Sequence, residues 1–349
     1  MGWLKLKEYG LKEAYIRKLM KEFGAYSDMF IASNFNLFSD KFKSTLEKVD
    51  KVDVSRILET HNKSSVRIIS AKDNEYPSDI KKLVDFPTFL YVKGNEMHRE
   101  RKIAVVGTRK VTKFGKASCE KIVKDLLEYD ITIVSGLAEG IDTIALNIAV
   151  QKNNNPIAIV GTGLDIVYPF ENREIWEKIG REGTIISEYP LGTSAQKWNF
   201  PKRNRLIAAI SNGVLVAESF HRGGSLITAE LAYSLDKEIF AIPGFINYPS
   251  FEGCNNLIKE NKGKLVATGE DIRKEFFWEA SSYKSKKANL DEDERIIYDC
   301  LTEEKSLEQL DSELEGILDS KKILYVLMIL KIKGIIVETG VSKYIRIVD

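Results

Sequence analysis

The chain has 349 residues, 44% hydrophobic and 30% charged, which excludes a disordered or membrane-embedded protein and, at roughly 150 residues per domain, predicts two or three units. Its net charge of +1 excludes a uniformly basic surface, so a polyanionic partner must be met by charge gathered locally. The three cysteines, Cys119, Cys254 and Cys300, are odd in number and far apart, as expected of small core residues in a reducing compartment and not of a disulfide framework. The opening segment MGWLKLKEYG has no apolar export core, and Leu6 stands where a myristoylation signal needs Ser or Thr; a cytoplasmic location is expected.

From Leu11 the apolar residues Tyr15, Ile16, Leu19, Met20 and Phe23 keep helical spacing up to Gly24, and a small helical domain is expected over residues 1–65. Its polar residues are mixed in sign and mark no site. VRIIS (66–70) and TFLYVKG (88–94), on either side of Tyr76-Pro77, begin a sheet. The runs IAVVG (103–107), ITIVSG (131–136), IAIVG (157–161), TIISE (184–188), VLVAES (214–219) and IFAIPG (239–244) then repeat one unit, an apolar stretch ending in small residues before a helix-like stretch. Strands covered on both faces read this way, so residues 66–278 are expected to form an α/β domain with a Rossmann-like, doubly wound, mostly parallel sheet. The polar segment SSYKSKKANLDEDE (281–294) predicts a linker over 279–290. Three helical stretches follow, Glu292 to Leu301, Ser306 to Leu314 and Ser320 to Lys331, then IIVET and YIRIV around Gly340. That order predicts a winged helix over 291–349. The longest apolar run, Ile323 to Leu330, is far short of the ~20 residues of a membrane span and reads as a buried helix; no membrane partner is expected.

In such a sheet, ligands bind beyond the carboxyl ends of the strands, where helix N-termini favour anions. The first strand end carries Gly107-Thr108-Arg109, a close-approach glycine beside a planar phosphate fork. Ser135-Gly136 to Gly140-Ile141-Asp142 is a second glycine-framed loop, and Gly161-Thr162-Gly163 a third, with Ile166 in place of the last glycine of a dinucleotide fingerprint. Each alone is most simply a tight strand-to-helix turn. The stretch Lys197 to Ile207 is more informative: Lys197, Lys202, Arg203 and Arg205 are interleaved with Trp198 and Phe200, with no acidic residue. Phosphates need counter-charge and unstacked bases need aromatic faces, which makes this a candidate single-strand contact. Asn204 stands before the apolar LIAAI and suggests a helix start aimed at a ligand. Arg222-Gly223-Gly224-Ser225 runs into a further helix and forms a possible anion nest.

Taken in order, VVGTR, VSGLAEGIDTIA, AIVGTGLDIVYPFENR, ISEYPLG, FPKRNRLIA, GGSLITAELA, AIPG and GCNNLI resemble the DprA/Smf proteins of bacterial DNA processing and natural transformation, over residues 66 to about 275. The resemblance implies a cytoplasmic homodimer without catalytic activity or cofactor that binds single-stranded DNA with little sequence preference, protects it, and helps load the recombinase RecA. It also implies phosphate contacts by Arg109, Lys197, Arg203 and Arg205, amide donors at Gly224 and Ser225, and base stacking on Phe200, with Gly107, Lys202 and Asn204 in the same site. Two positions depart from the family pattern, Leu146 where histidine is usual and Gly223 where serine is usual. The alternative is an enzyme resembling the nucleotide phosphoribohydrolases. Gly223, Gly224 and Glu230 stand at the spacing of their signature, but Leu226 and Ile227 replace its Gly and Thr. A metal-dependent nuclease using Asp142, Asp165 and Glu188 is a further reading, although their spacing fits no ligand pattern.

Overall fold

The computed structural model describes residues 2–97, 99–278, 290–332, 336–340 and 342–346. Two antiparallel strands, β1 (Val66–Ser70) and β2 (Phe89–Gly94), are followed by the six apolar runs as β3 (Lys102–Val106), β4 (Thr132–Ser135), β5 (Ile157–Val160), β6 (Thr184–Ser187), β7 (Gly213–Val216) and β8 (Glu238–Ala241). A two-residue strand, β9 (Lys264–Leu265), completes the sheet. The order is β1-β2-β6-β5-β4-β3-β7-β8-β9, with β2 antiparallel to β6 and every pair from β6 to β9 parallel. This is the expected α/β sheet. Its strands need no polar alternation because both faces are covered. The helices Lys113–Glu128, Ile141–Gln151 and Arg173–Glu182 bury Cys119, Ile122, Leu146 and Ile175 on one face. Across the sheet, Asn199–Ile210, Gly224–Ser234 and Glu252–Lys259 bury Leu206, Ala229 and Cys254. Leu146 is fully buried, so its departure from the family pattern is one of packing.

From β3 the chain steps outward through β4 and β5 to β6, then returns to β7 on the other side of β3. The crevice at such a reversal lies beyond the carboxyl ends of the strands, here Val106 and Val216, and cannot be closed by either adjoining crossover.

The first 65 residues do not stand apart from the sheet. Trp3, Leu4, Leu6, Ile16, Leu19 and Met20 share a core with Phe89 of β2. Arg17 donates to the Phe86 carbonyl at 2.9 Å, and the Glu13 carboxylate accepts from the Thr88 N–H and hydroxyl at 3.0 and 2.6 Å. Residues 1–278 thus form one compact unit, and a second begins beyond Trp278.

The expected linker, apart from Leu290, lies outside the described residues, as do Ile335, Ile347 and Val348 of the two expected C-terminal strands. The second unit holds helices Glu292–Cys300, Leu307–Glu313 and Ser320–Ile332. The first two are capped by Asp291 with Glu294 and by Ser306 with Gln309, reciprocal boxes that satisfy first-turn amides. Strands β10 (Lys305–Ser306), β11 (Ile336–Gly340) and β12 (Lys343–Arg346) form an antiparallel sheet in the order β10-β12-β11. The apolar third helix buries Ile323, Val326, Leu327 and Leu330 but exposes Leu324, Tyr325 and Met328, so it is not buried all round.

Candidate functional site

A cleft of about 530 Å³ opens at the reversal point, lined by Gly107, Thr108, Arg109, Ala138, Asp142, Tyr168, Lys197, Phe200, Arg203, Asn204, Phe220, Gly223, Gly224, Ser225 and Thr228 among others. Its walls are brought together by main-chain bonds. The Thr108 N–H donates to the Glu218 carbonyl at 2.8 Å, tying the loop after β3 to the loop after β7. The buried Glu218 carboxylate accepts from the Thr112 N–H at 3.0 Å, and the Thr112 hydroxyl caps the next helix by accepting from the Gly115 N–H at 3.0 Å. Gly107 is required where the loops cross, since a Cβ there would lie 2.5 Å from Ile141 Cγ1. Gly140 combines a φ of +82° with a Cβ position 2.3 Å from the Thr108 carbonyl oxygen, so no other residue fits without displacement.

The basic stretch is helical earlier than expected. The helix begins at Asn199, which donates through Nδ2 to the Gly161 carbonyl at 2.9 Å, and Asn204 lies within it instead of starting it. Helical spacing then sorts the residues. Lys197, Phe200 and Asn204 line the cleft. Lys202 and Arg205 point elsewhere: both meet Glu188, at 3.1 and 2.7 Å, and Arg205 Nε lies 2.9 Å from Asp85 Oδ2. Neither belongs to the lining, so the phosphate contact expected of Arg205 and the place in the site expected of Lys202 have no counterpart in the cleft.

Arg203, which also lines the cleft, is tied into the scaffold. Its guanidinium is at the cleft floor but buried, donating to the Gly136 carbonyl at 2.5 Å and to the Ile159 carbonyl, with Nε 3.2 Å from Asn204 Oδ1. It stitches the helix to the ends of β4 and β5. Facing it, Asp142 Oδ2 accepts from the Gly136 and Ala138 amides at 3.1 and 3.4 Å. Burial pushes Asp142 up to about 6, against the pull of Arg203 and those amides, and draws Arg203 down to about 10.

Arg109 and Lys197 are different. Both are exposed at the cleft, and among the described residues neither has a carboxylate at ion-pair distance. In the same lining Phe200 packs against Gly161, with the Tyr168 ring 5.2 Å away and tilted by 36°. Trp198 is exposed outside the lining. Opposite, the helix Gly224–Ser234 points its first turn into the cleft, with Gly223 at its cap supplying no side-chain acceptor. Gly224 and Ser225 therefore present first-turn amides, while the Ser225 hydroxyl turns inward to Ser219 Oγ at 2.8 Å. Gly223 has an ordinary φ of −73°, and a Cβ on it would lie 2.2 Å from Ser219 Oγ. Its departure from the family pattern is therefore steric.

The other carboxylates raised by the sequence have structural partners. Asp165 accepts from the Gly192 amide at 2.9 and 3.0 Å, and Glu188 holds Lys202 and Arg205. Among the described residues no group of His, Cys, Asp and Glu could hold a metal. Glu230 is exposed and absent from the cleft lining. Two lining residues, Tyr168 and Phe220, carry no expectation from the sequence. Tyr168 was within view in the segment VYPFEN, and Phe220 directly follows the strand-end run VLVAES.

Comparison with known proteins accords with this geometry. Residues 67–277 match the family described as DNA recombination-mediator protein A. Over 282 residues the chain is 37% identical to the DNA processing protein DprA of Streptococcus pneumoniae, covering 78% of this chain and 96% of that relative. The X-ray structure of the S. pneumoniae protein superposes with a TM-score of 0.69 at 36% identity, over 79% of this chain and 98% of that one. DNA processing protein A of Helicobacter pylori, whose structure concerns its single-stranded DNA binding mode, gives a TM-score of 0.56 at 28% identity, over 61% of this chain and 95% of that one. The shared sheet, the ordered glycine loops and the match through more than half its length leave one conclusion: the chain belongs to the DNA recombination-mediator protein A family.

Proposed function

We propose that the cleft binds single-stranded DNA through its phosphates and that the protein, acting as a cytoplasmic homodimer and not as an enzyme, protects the strand and helps load RecA. The observation that carries this reading is the contrast in pairing. Among the described residues Arg109 and Lys197 have no carboxylate partner at the cleft, while Lys202 and Arg205 nearby are matched to carboxylates. An open helix N-terminus faces the two free cations, and phosphate suits both. Phe200 and Tyr168 offer aromatic surface for an unstacked base. Glu230, the candidate hydrolytic acid, lies outside the cleft lining and supports binding over hydrolysis.

Titration of the full chain with single-stranded oligonucleotides at several salt concentrations tests this. Arg109→Ala and Lys197→Ala should each weaken binding equally across base sequences and reduce the salt slope by about 0.7. Phe200→Ala should lose ~1–3 kcal/mol of affinity with the slope unchanged, because stacking releases no counterions. Wild-type affinity in both cation variants would move the site elsewhere. RecA assembly on the coated strand, with and without the protein, tests the loading step.

A further inference from the structure

Beyond the cleft, on the same carboxyl edge of the sheet, three aromatic rings are exposed together. Phe114 lies 6.0 Å from Phe245 and 6.1 Å from Tyr248, and those two rings are 5.8 Å apart. They are 54%, 64% and 40% exposed, and the adjoining Ile246 is 92% exposed. A solvent-facing cluster of this kind forfeits apolar burial unless something covers it. Its carrier loop is nevertheless held firmly: Asn255 donates to the Gly244 carbonyl at 3.0 Å and accepts from the Gly244 amide at 3.1 Å, and Phe251 beneath is buried.

We infer that Phe114, Phe245 and Tyr248 form a second base-stacking platform, which continues the path of single-stranded DNA out of the cleft. This rests on the cleft reading. Continuity comes from the topology, since the cleft lies at the ends of β3 and β7 and the platform is carried by the first turn of the helix that follows β3 and by the loop after β8. Two strand spacings, ~10 Å, separate β3 from β8. Arg109 stands in the loop after β3 and Phe114 in the first turn of the helix Lys113–Glu128 that this loop enters, five residues and so at most ~17 Å of chain apart. The charge also fits a nucleic acid. Residues 107–116 contain Arg109, Lys110, Lys113 and Lys116 and no carboxylate, and residues 239–251 contain no charged side chain. Of the two acids that flank this segment, Glu238 pairs with Lys264 at 2.9 Å and Glu252 faces His221 at 3.8 Å. Of the cations in residues 107–116, Lys116 lies 3.8 Å from Glu120; edge-to-face rings beside a basic segment suit unstacked bases joined by phosphates, and every base has a face to offer, so the platform is indifferent to sequence.

The test compares oligothymidylates of about 6 and about 20 nucleotides, one near the lower end of single-strand site sizes and one beyond the cleft. The variant Phe114→Ala/Phe245→Ala/Tyr248→Ala should bind the short strand like wild type and lose at least ~5-fold affinity for the long one, with an unchanged salt slope. A complementary measurement needs no variant: long strands made abasic at the 5′ or the 3′ end should lose the same factor with wild-type protein at one end only, and the triple variant should not discriminate that strand from the intact one. Wild-type affinity of the triple variant for the long strand, or equal binding of both abasic strands and the intact one, overturns the platform. So does a variant whose DNA affinity holds while its sedimentation changes, which would make the patch a protein contact. Loss of long-strand binding in the triple variant with undiminished binding in Arg109→Ala/Lys197→Ala would instead overturn the cleft reading, and with it the continuity.

Discussion

Arg203 and Asp142 show how a residue chosen for its charge can serve the scaffold. Removing the Arg203 guanidinium would leave the Gly136 and Ile159 carbonyls without their donor and Asp142 without its opposing charge, all of them buried. Arg203→Ala should therefore cost about 3–5 kcal/mol of stability, seen as a lower urea midpoint, where a phosphate ligand on an open surface would cost affinity alone. The same pair makes stability pH-dependent. With Asp142 raised from 3.8 to about 6, the folded chain retains a proton that the unfolded chain has released between those values. Stability should thus fall as pH rises through that window, and Asp142→Asn should flatten the fall. Urea titrations at several pH values decide it; a rise with pH would show that the ion pair outweighs the desolvation.

At the scale of single elements, the helix Gly224–Ser234 offers the cleanest separation of fold from binding. A Cβ at Gly224 would meet nothing within 4 Å, whereas one at Gly223 would strike Ser219. Gly224→Ala should leave the melting temperature unchanged or raise it slightly, yet weaken strand binding by crowding the amides; Gly223→Ala should lose stability as well. Thermal unfolding and titration of the two variants side by side provide the check. The six central strands were legible because burial on both faces leaves an unbroken apolar run. Strand β9 was not, being two residues long with both exposed. The start of the helix at Asn199 was masked by Pro201, whose missing N–H costs nothing in a first turn, and by Trp198, a cap with no side-chain acceptor. Once the helix begins there, Phe200, Arg203 and Asn204 fall on the cleft side, with Lys197 just ahead of its cap. The two residues that fall away, Lys202 and Arg205, find Glu188 across a gap in sequence that leaves no periodic trace.

Across the whole molecule, the cleft draws all its lining from before Trp278, where the first compact unit ends. A chain ended at Trp278 should keep single-strand affinity within about tenfold of the full chain, or ~1.4 kcal/mol. A larger loss in parallel titrations would make the C-terminal unit part of the DNA site. The three cysteines divide between the units in the same way. Cys119 and Cys254 are sealed on opposite faces of the sheet, and burial pushes both thiols up to about 12, while Cys300 is only half-buried in the second unit. The protein thus carries native reporters of its own breathing. A thiol reagent should label Cys300 first, through local opening, and reach the other two only when the central sheet itself comes apart. Simultaneous labelling of all three would mean that the two units melt as one.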